Sequence, residues 1–169
     1  MNFILERNFL DSIVFLPEMS TYPRDVARKA STDVIDIGSG AGFPGIPLAI
    51  LSPKWNFTLC DSTTKKTIFL NELINELNLR NVKIVNDRVE NIKSKFDIVT
   101  SRALADLKTI INYSLPVLKK DGFIAAYKSN NISDELEGTK EIMKKKKLIL
   151  KTISKNYNGV ERVMVLINA

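Results

Sequence analysis

The chain has 169 residues, 44% of them apolar and 26% charged, with 25 basic against 19 acidic side chains for a net charge of +6. That length holds one well-cored domain and is short for two, and the basic balance favours an anionic partner such as nucleic acid. One cysteine, Cys60, excludes an internal disulfide framework; with no histidine either, a zinc site built on those ligands and Ser-His-Asp or Cys-His triads are excluded, and no metal is expected.

Residues 3–16 place Ile4, Leu5, Phe9, Ile13 and Leu16 at near-helical spacing. They predict a short N-terminal helix, about 1–16, which Pro17 and Pro23 should end. The opening "MNFILERNFLDS" lacks the basic-then-apolar layout of a signal peptide, and no apolar run approaches the roughly 20 residues of a membrane span. A cytoplasmic protein without membrane contact is therefore expected. "DVIDI" (33–37) is an almost continuous apolar strand, the pattern of burial on both faces. Four of the seven glycines follow at once, Gly38, Gly40, Gly42 and Gly45. "GIPLAILS" then predicts a short helix with Pro47 in its first turn.

"NFTLCD" is a second strand. "TTKKTIFLNELINEL" is a helix with Ile68, Leu70, Leu73, Ile74 and Leu77 on one side. "VKIVN" and "FDIVTS" are strands, "ADLKTIINYSLPVL" a helix, "GFIAAYK" a strand, and 134–143 a helix. "KLILKTIS" and "ERVMVLIN" close the chain as two strands joined by "KNYNG". Strands alternating with helices predict a single α/β domain over 1–169: a Rossmann-like, doubly wound, mostly parallel sheet of seven strands with an antiparallel last strand. In such sheets the ligand lies beyond the carboxyl ends of the strands, where strand order switches.

The glycines sit between a buried strand and a helix, where they permit a sharp turn and close approach of a ligand to the backbone. The helix N-terminus behind them is expected to offer open N–H groups. Two ligand classes fit. Gly40, Gly42 and Gly45 satisfy G-x-G-x-x-G with Asp61 about 20 residues on, the dinucleotide pattern. Gly38, Gly40 and Gly42 also satisfy G-x-G-x-G, directly after Asp36. A carboxylate there repels a pyrophosphate and attracts an ammonium and a sulfonium; S-adenosylmethionine carries both. Asp36 therefore favours a methyl donor.

Asp61 ends the second strand, where a carboxylate takes ribose hydroxyls as donors; its plainer role is a helix N-cap. Val89 and the backbone at Glu90 follow the third strand, where an adenine would pack and bond. Arg102 follows the fourth strand and suits a phosphate or the acceptor edge of a guanine. Lys128 holds the matching place one strand over, so two cations flank one cleft. The Asn/Asp-Pro-Pro-Tyr tetrapeptide that holds an exocyclic amine in many methyltransferases is absent.

"FLDSIVFLP", "DIGSGAGFPGIPLAILSP", "LCDSTTKK", "RVENI", "FDIVTSRALADL" and "AYK" resemble the bacterial small-subunit rRNA guanine-N7 methyltransferase family, RsmG, also called glucose-inhibited division protein B (GidB). The similarity runs from about Arg7 to Lys128, with a weaker echo in "ERVMVLI". It implies a class I, S-adenosylmethionine-dependent methyltransferase acting on guanine 527 of 16S rRNA, in free rRNA or the small ribosomal subunit, and a monomer is expected. The family's cofactor residues carry over onto Gly38, Phe43, Val89, Glu90 and Arg102. Asp36, Gly40 and Asp61 complete that set from the pattern itself, and Arg88 and Lys128 match further basic positions, expected to bind RNA. Asn8 stands where the family has a histidine, Ser129 where it has a glycine, and the segment before "LDS" is shorter. Lys144–Lys147 and Lys151 offer an RNA surface in its place.

The absence of histidine fits this chemistry. Guanine N7 has a lone pair and no proton, so Arg102 and Lys128 are expected to position substrate and no general base is required. An NAD(P)-dependent reductase and a non-catalytic RNA-binding module are the alternatives.

Overall fold

The structure is a computed structural model that describes residues 5–22, 31–129, 131–157 and 159–168, and of residues 5–7 the backbone alone. Ile4, Pro23 and Asn158, which figure in the expectations above, lie outside the described residues.

Seven strands form one sheet: β1 (Asp33–Ile37), β2 (Asn56–Cys60), β3 (Val82–Val85), β4 (Phe96–Arg102), β5 (Leu118–Lys128), β6 (Ile149–Tyr157) and β7 (Val160–Asn168). Their order is β3-β2-β1-β4-β5-β7-β6. The first five are mutually parallel, and β7 runs antiparallel to both β5 and β6. The chain winds from β1 out to β3, then returns to β4 and onward, so strand order reverses between β1 and β4. Their carboxyl tips open a crevice at that point.

The helices are α1 (Asp11–Ile13), α2 (Leu16–Met19), α3 (Gly45–Leu51), α4 (Thr64–Glu76), α5 (Leu107–Ser114) and α6 (Ser133–Lys146). They cover both faces. On one, Val34, Ile98, Phe123 and Met164 meet Phe15, Met19, Leu48 and Leu70. On the other, Ile35, Val99, Ile124 and Val165 meet Leu107, Ile110 and Ile111. Each large side chain so buried contributes roughly 1.5–3 kcal/mol. Burial on both faces is why the central strands read as unbroken apolar runs.

The N-terminal segment differs from one continuous helix. Leu5–Leu10 winds as a π-helix that passes straight into α1. The break falls at Val14 and Phe15, whose ring is buried edge-on to Tyr127, with centroids 6.0 Å apart. Pro17 ends no helix. It lies in the first turn of α2, where its missing N–H leaves no bond unmade. The Tyr127 hydroxyl donates to the Ser12 carbonyl at 2.6 Å and fixes the segment to β5.

The helix expected over 105–118 is shorter. Asp106 caps α5, accepting from the Thr109 N–H at 3.0 Å, and Pro116 tightens Leu115–Val117 into a 3-10 turn. β5 starts at Leu118, ahead of the expected Gly122, and its register on β4 jumps between Phe96↔Leu118 and Ile98↔Phe123. The final hairpin strands also run longer than expected: Lys155 and Tyr157 pair within it, opposite Arg162 and Val160.

Candidate functional site

β1 delivers the chain into a turn at the crevice. Gly38 (φ +69°) and Gly40 (φ +58°) are left-handed, a conformation other residues adopt only with strain. The N–H groups of Gly38 and Ser39 donate to the Cys60 carbonyl at 2.9 and 3.2 Å, which hangs the turn on the tip of β2. Asp61, next along, clamps it. Its Oδ2 accepts from the Gly40 N–H at 3.0 Å and its Oδ1 from the Thr63 N–H at 2.9 Å. Burial raises the pKa of this carboxyl, but the Thr63 and Gly40 bonds and the Lys66 ammonium at 3.6 Å outweigh it and hold the pKa below the usual carboxylate value. Asp61 is thus an ionised acceptor with lone pairs to spare.

A hollow of about 390 Å³ opens here, walled by Gly38, Asp61, Arg88, Val89, Glu90 and Leu104. Five of these were expected from the sequence. Leu104 was not, and neither was Tyr113, which reaches the same hollow from α5; the only sequence signal was an aromatic on a helix following β4. Cys60 also lines the hollow, but burial pushes its thiol up to about 11, and its Sγ donates to the Asp87 carbonyl at 3.2 Å. It carries no thiolate chemistry.

Asp36 is placed differently from the charge argument made above. Its carboxyl is fully buried behind the turn, Oδ2 accepting from the Gly45 N–H at 3.2 Å and Oδ1 from the Thr100 hydroxyl at 2.9 Å. Burial pushes its pKa up to about 7, against those bonds and the Arg102 charge. Asp36 therefore shapes the turn and does not face the hollow as a fixed negative charge.

The same bonds correct the expectation of open donors at the helix N-terminus. Asp36 occupies the Gly45 N–H, and the Ile46 N–H donates to the Gly42 carbonyl at 2.7 Å. A Cβ at Gly45 would lie 2.9 Å from Asp36 Oδ2, so glycine admits the acid. A phosphate at this end of α3 would meet a carboxyl group.

A second hollow, about 310 Å³, lies on the far side of Ala103, which lines both. Ala103 is left-handed (φ +54°) without being glycine, a strained seat. Arg102 and Lys128 both wall this second hollow. The Arg102 guanidinium donates to the Asn8 carbonyl (3.2 Å), the Asn8 side-chain oxygen (2.7 Å) and the Ser12 hydroxyl (3.5 Å), and sits 5.4 Å from the Phe43 ring centroid. Phe43 thus braces Arg102 and is in neither wall. Lys128 Nζ donates to the Ala105 carbonyl at 2.7 Å and pairs with Glu135 at 2.6 Å. Glu135 also accepts from the Leu107 N–H at 2.7 Å. Glu135 and Arg162, both in this wall, were missed, because nothing in their local sequence sets them apart from ordinary surface charges.

Lys144–Lys147 and Lys151 lie elsewhere. Ile149 is level with Asn168, Asn168 with Phe123, and Phe123 with Ile98 near the start of β4. Both hollows open at the other end, where Lys128 is level with Val163. The lysine run therefore stands at the opposite end of the sheet from the site.

A sheet of this order, with a glycine turn at the tip of β1 and a carboxylate at the tip of β2, is the Rossmann-like methyltransferase fold. Magnesium protoporphyrin IX methyltransferase from Synechocystis, solved with bound S-adenosylmethionine, superposes with a TM-score of 0.71 at 11% identity, over 100% of this chain and 85% of that one. An rRNA methylase from Streptococcus thermophilus gives 0.65 at 14% identity, over 90% and 95%. At such identities the likeness is one of fold.

Sequence goes further: the chain belongs to the GidB family, rRNA small subunit methyltransferase G, whose model matches residues 1–164. Relatives named ribosomal RNA small subunit methyltransferase G include those of Clostridium perfringens, 39% identical over 81% of this chain and 57% of theirs, and of Thermoanaerobacter, 33% identical over 97% and 69%. The chain spans less than two thirds of the length of the first curated relatives it matches, at 57%, 59% and 55%.

Proposed function

We propose that the chain transfers a methyl group from S-adenosylmethionine to N7 of a guanine in 16S rRNA, position 527 by its family resemblance, acting in the cytoplasm on the free rRNA or the small ribosomal subunit. The observation that carries this is the first hollow: a left-handed glycine turn clamped by an ionised Asp61, with Val89 and Tyr113 as apolar walls at the strand-order switch. The residues fit the ligand. Asp61 keeps lone pairs for ribose hydroxyls, and Val89, Tyr113 and Ile37 offer an adenine-sized apolar slot, with Glu90 at its rim. S-adenosylmethionine, when bound, supplies an electrophilic methyl group.

The chain's own part is placement. Guanine N7 has a lone pair and no proton to remove, so no general base is needed, and fixing near-attack geometry contributes up to ~7–11 kcal/mol. Arg102 and Lys128 serve this by holding the two ends of the loop 103–106 at the mouth of the site, through Asn8 on one side and Ala105 on the other. Arg88, exposed on the rim of the first hollow, is free to meet RNA phosphate.

The nicotinamide reading is disfavoured by the carboxyl of Asp36 on the Gly45 N–H, where a pyrophosphate would need an open donor. The test is transfer of radiolabelled methyl to small subunits from a strain lacking this modification, with the labelled base mapped. Label on a 16S guanine N7 is the expected result. Binding of NADH with no affinity for S-adenosylhomocysteine would replace this reading with the reductase. Subunit binding without transfer would replace it with a non-catalytic module.

A further inference from the structure

We propose that a groove on the flank of the sheet, floored by Thr58, Lys83 and Val85 and walled by the connection from β3 to β4, is a docking track for the phosphate backbone of rRNA. This rests on the RNA half of the reading above and carries it from the mouth of the site onto a separate surface.

The groove exists because no helix fills it. β3 is an edge strand, and the chain must cross β2 and β1 to reach β4. Such crossovers usually carry a helix, but residues 86–95 hold only the 3-10 turn Val89–Asn91. On the other face of these strands α3 and α4 cover Val82 and Ile84. On the crossing face Thr58 and Val85 are half-buried and Lys83 is exposed. The opening left there is about 440 Å³, larger than either hollow at the strand tips.

Its charge is uncompensated. Lys83, Lys93 and Lys95 line it. The ammonium groups of Lys83 and Lys93 make no hydrogen bond or ion pair among the described residues. Lys95 donates to the Pro116 carbonyl, which leaves its charge intact. Asp33, the one carboxylate among the described lining residues, is already paired with Lys119 at 2.8 Å. Thr58 and Ser94 add hydroxyls. Lysines and hydroxyls without an acidic partner suit a row of phosphates, each contact releasing a condensed counterion.

The partner follows from where the groove leads. The connection that walls it also walls the first hollow, through Arg88, Val89 and Glu90. A strand whose phosphate meets Arg88 at the rim is led along that wall past Lys93 and Lys95 toward Lys83. An acidic protein surface would match the charge but has no need of this continuity.

The test compares two double variants. Lys83→Gln with Lys93→Gln empties the groove of two charges. Lys144→Gln with Lys145→Gln removes the same charge from the end of α6, beside β6 at the opposite edge of the sheet from β3. Binding to protein-free 16S rRNA and to small subunits is measured across a salt series. The groove pair should lower the slope of log affinity against log salt by about 1 per lysine, with several-fold weaker binding at low salt. The α6 pair should do neither. Equal slopes in the two pairs would reduce the effect to net charge and overturn the track. A lowered slope on subunits alone would assign the groove to a ribosomal protein and overturn it too. The groove pair should bind S-adenosylhomocysteine as the unaltered protein does. If that affinity is lost, the fold is at fault and Lys93→Glu alone carries the test: several-fold weaker binding to free rRNA is expected, and unaltered binding overturns the proposal. Binding through the groove with no methyl transferred by the unaltered protein would instead sink the methyl-transfer reading and leave the track standing.

Discussion

Asp36 and Gly38 stand two residues apart and do opposite things with space. Gly38 leaves it empty: a Cβ there would lie 2.5 Å from Leu104 Cδ1, and its φ of +69° is one that other residues resist. Gly38→Asp adds both faults at the wall of the first hollow. Affinity for S-adenosylhomocysteine is expected to fall below detection in a calorimetric titration, with the far-ultraviolet dichroism of the fold retained. Asp36 fills its space with a carboxyl whose pKa burial raises to about 7.

A carboxyl raised above its unfolded value binds its proton more tightly when folded, so its contribution to stability is whole at low pH and is lost as pH climbs from about 4 toward 7. Asp36→Asn removes that loss. Denaturant titrations at pH 5 and pH 8 should show the unaltered protein weakening relative to the variant, on the order of 1–2 kcal/mol or more. An equal pH response in both would refute the assignment. That the glycine turn, Asp61, Val89 and Glu90 would meet at the strand tips was legible because spacing after a strand fixes where a backbone goes; Arg88 came from the family resemblance alone. The direction of the Asp36 carboxyl was not, because Thr100 and Gly45 decide it from outside its own strand.

Between elements, the connection from β4 to α5 is held at both ends by charge. Glu135, from the first turn of α6, caps the N-terminus of α5 at Leu107 and neutralises Lys128, which in turn holds the Ala105 carbonyl. Glu135→Gln keeps an acceptor for Leu107 but not the ion pair. The expected cost is about 1–2 kcal/mol, read as a fall in melting temperature of roughly 3–6 °C at this chain length, with transfer reduced because the loop loosens. A melting temperature unchanged within a degree would mean the pair is spent on solvent. Strands and helices with strong period, β1, β4, α4 and β7, were readable from the chain. The ends of α5 and the start of β5 were not, since Pro116 and the register jump on β4 are settled by pairing. The π-helical turn at Leu5–Leu10 presents the Asn8 carbonyl to Arg102, a distant partner that no local pattern announces.

Across the whole molecule, net charge was legible and its placement was not. The +6 balance pointed to nucleic acid, and the densest run of lysines invited the reading that RNA binds there. Topology puts that run at the far end of the sheet. Replacing Lys144, Lys145 and Lys146 by Gln should leave the KM for small subunits within about twofold and the salt dependence of binding nearly unchanged, whereas Arg88→Glu at the rim should raise KM several-fold. A large effect of the lysine triple would relocate the RNA surface. Fold class followed from the alternation of strands and helices, and the reversed last strand from the closing hairpin. That β7 lies between β5 and β6, not at the edge, is a matter of pairing that two adjacent apolar strands leave open.

The bond from Thr100 to Asp36 joins residues 64 positions apart, and this sets the order in which the protein can mature. Until β4 has been synthesised and docked beside β1, the carboxyl beneath the glycine turn has the Gly45 N–H but lacks its Thr100 partner, and an earlier stretch of chain has the right letters without the full shape. Sheets closed by such distant partners fold slowly, because the entropy of a long loop is surrendered before any contact repays it. Ligand affinity should therefore arrive late in refolding, after most of the secondary structure has formed.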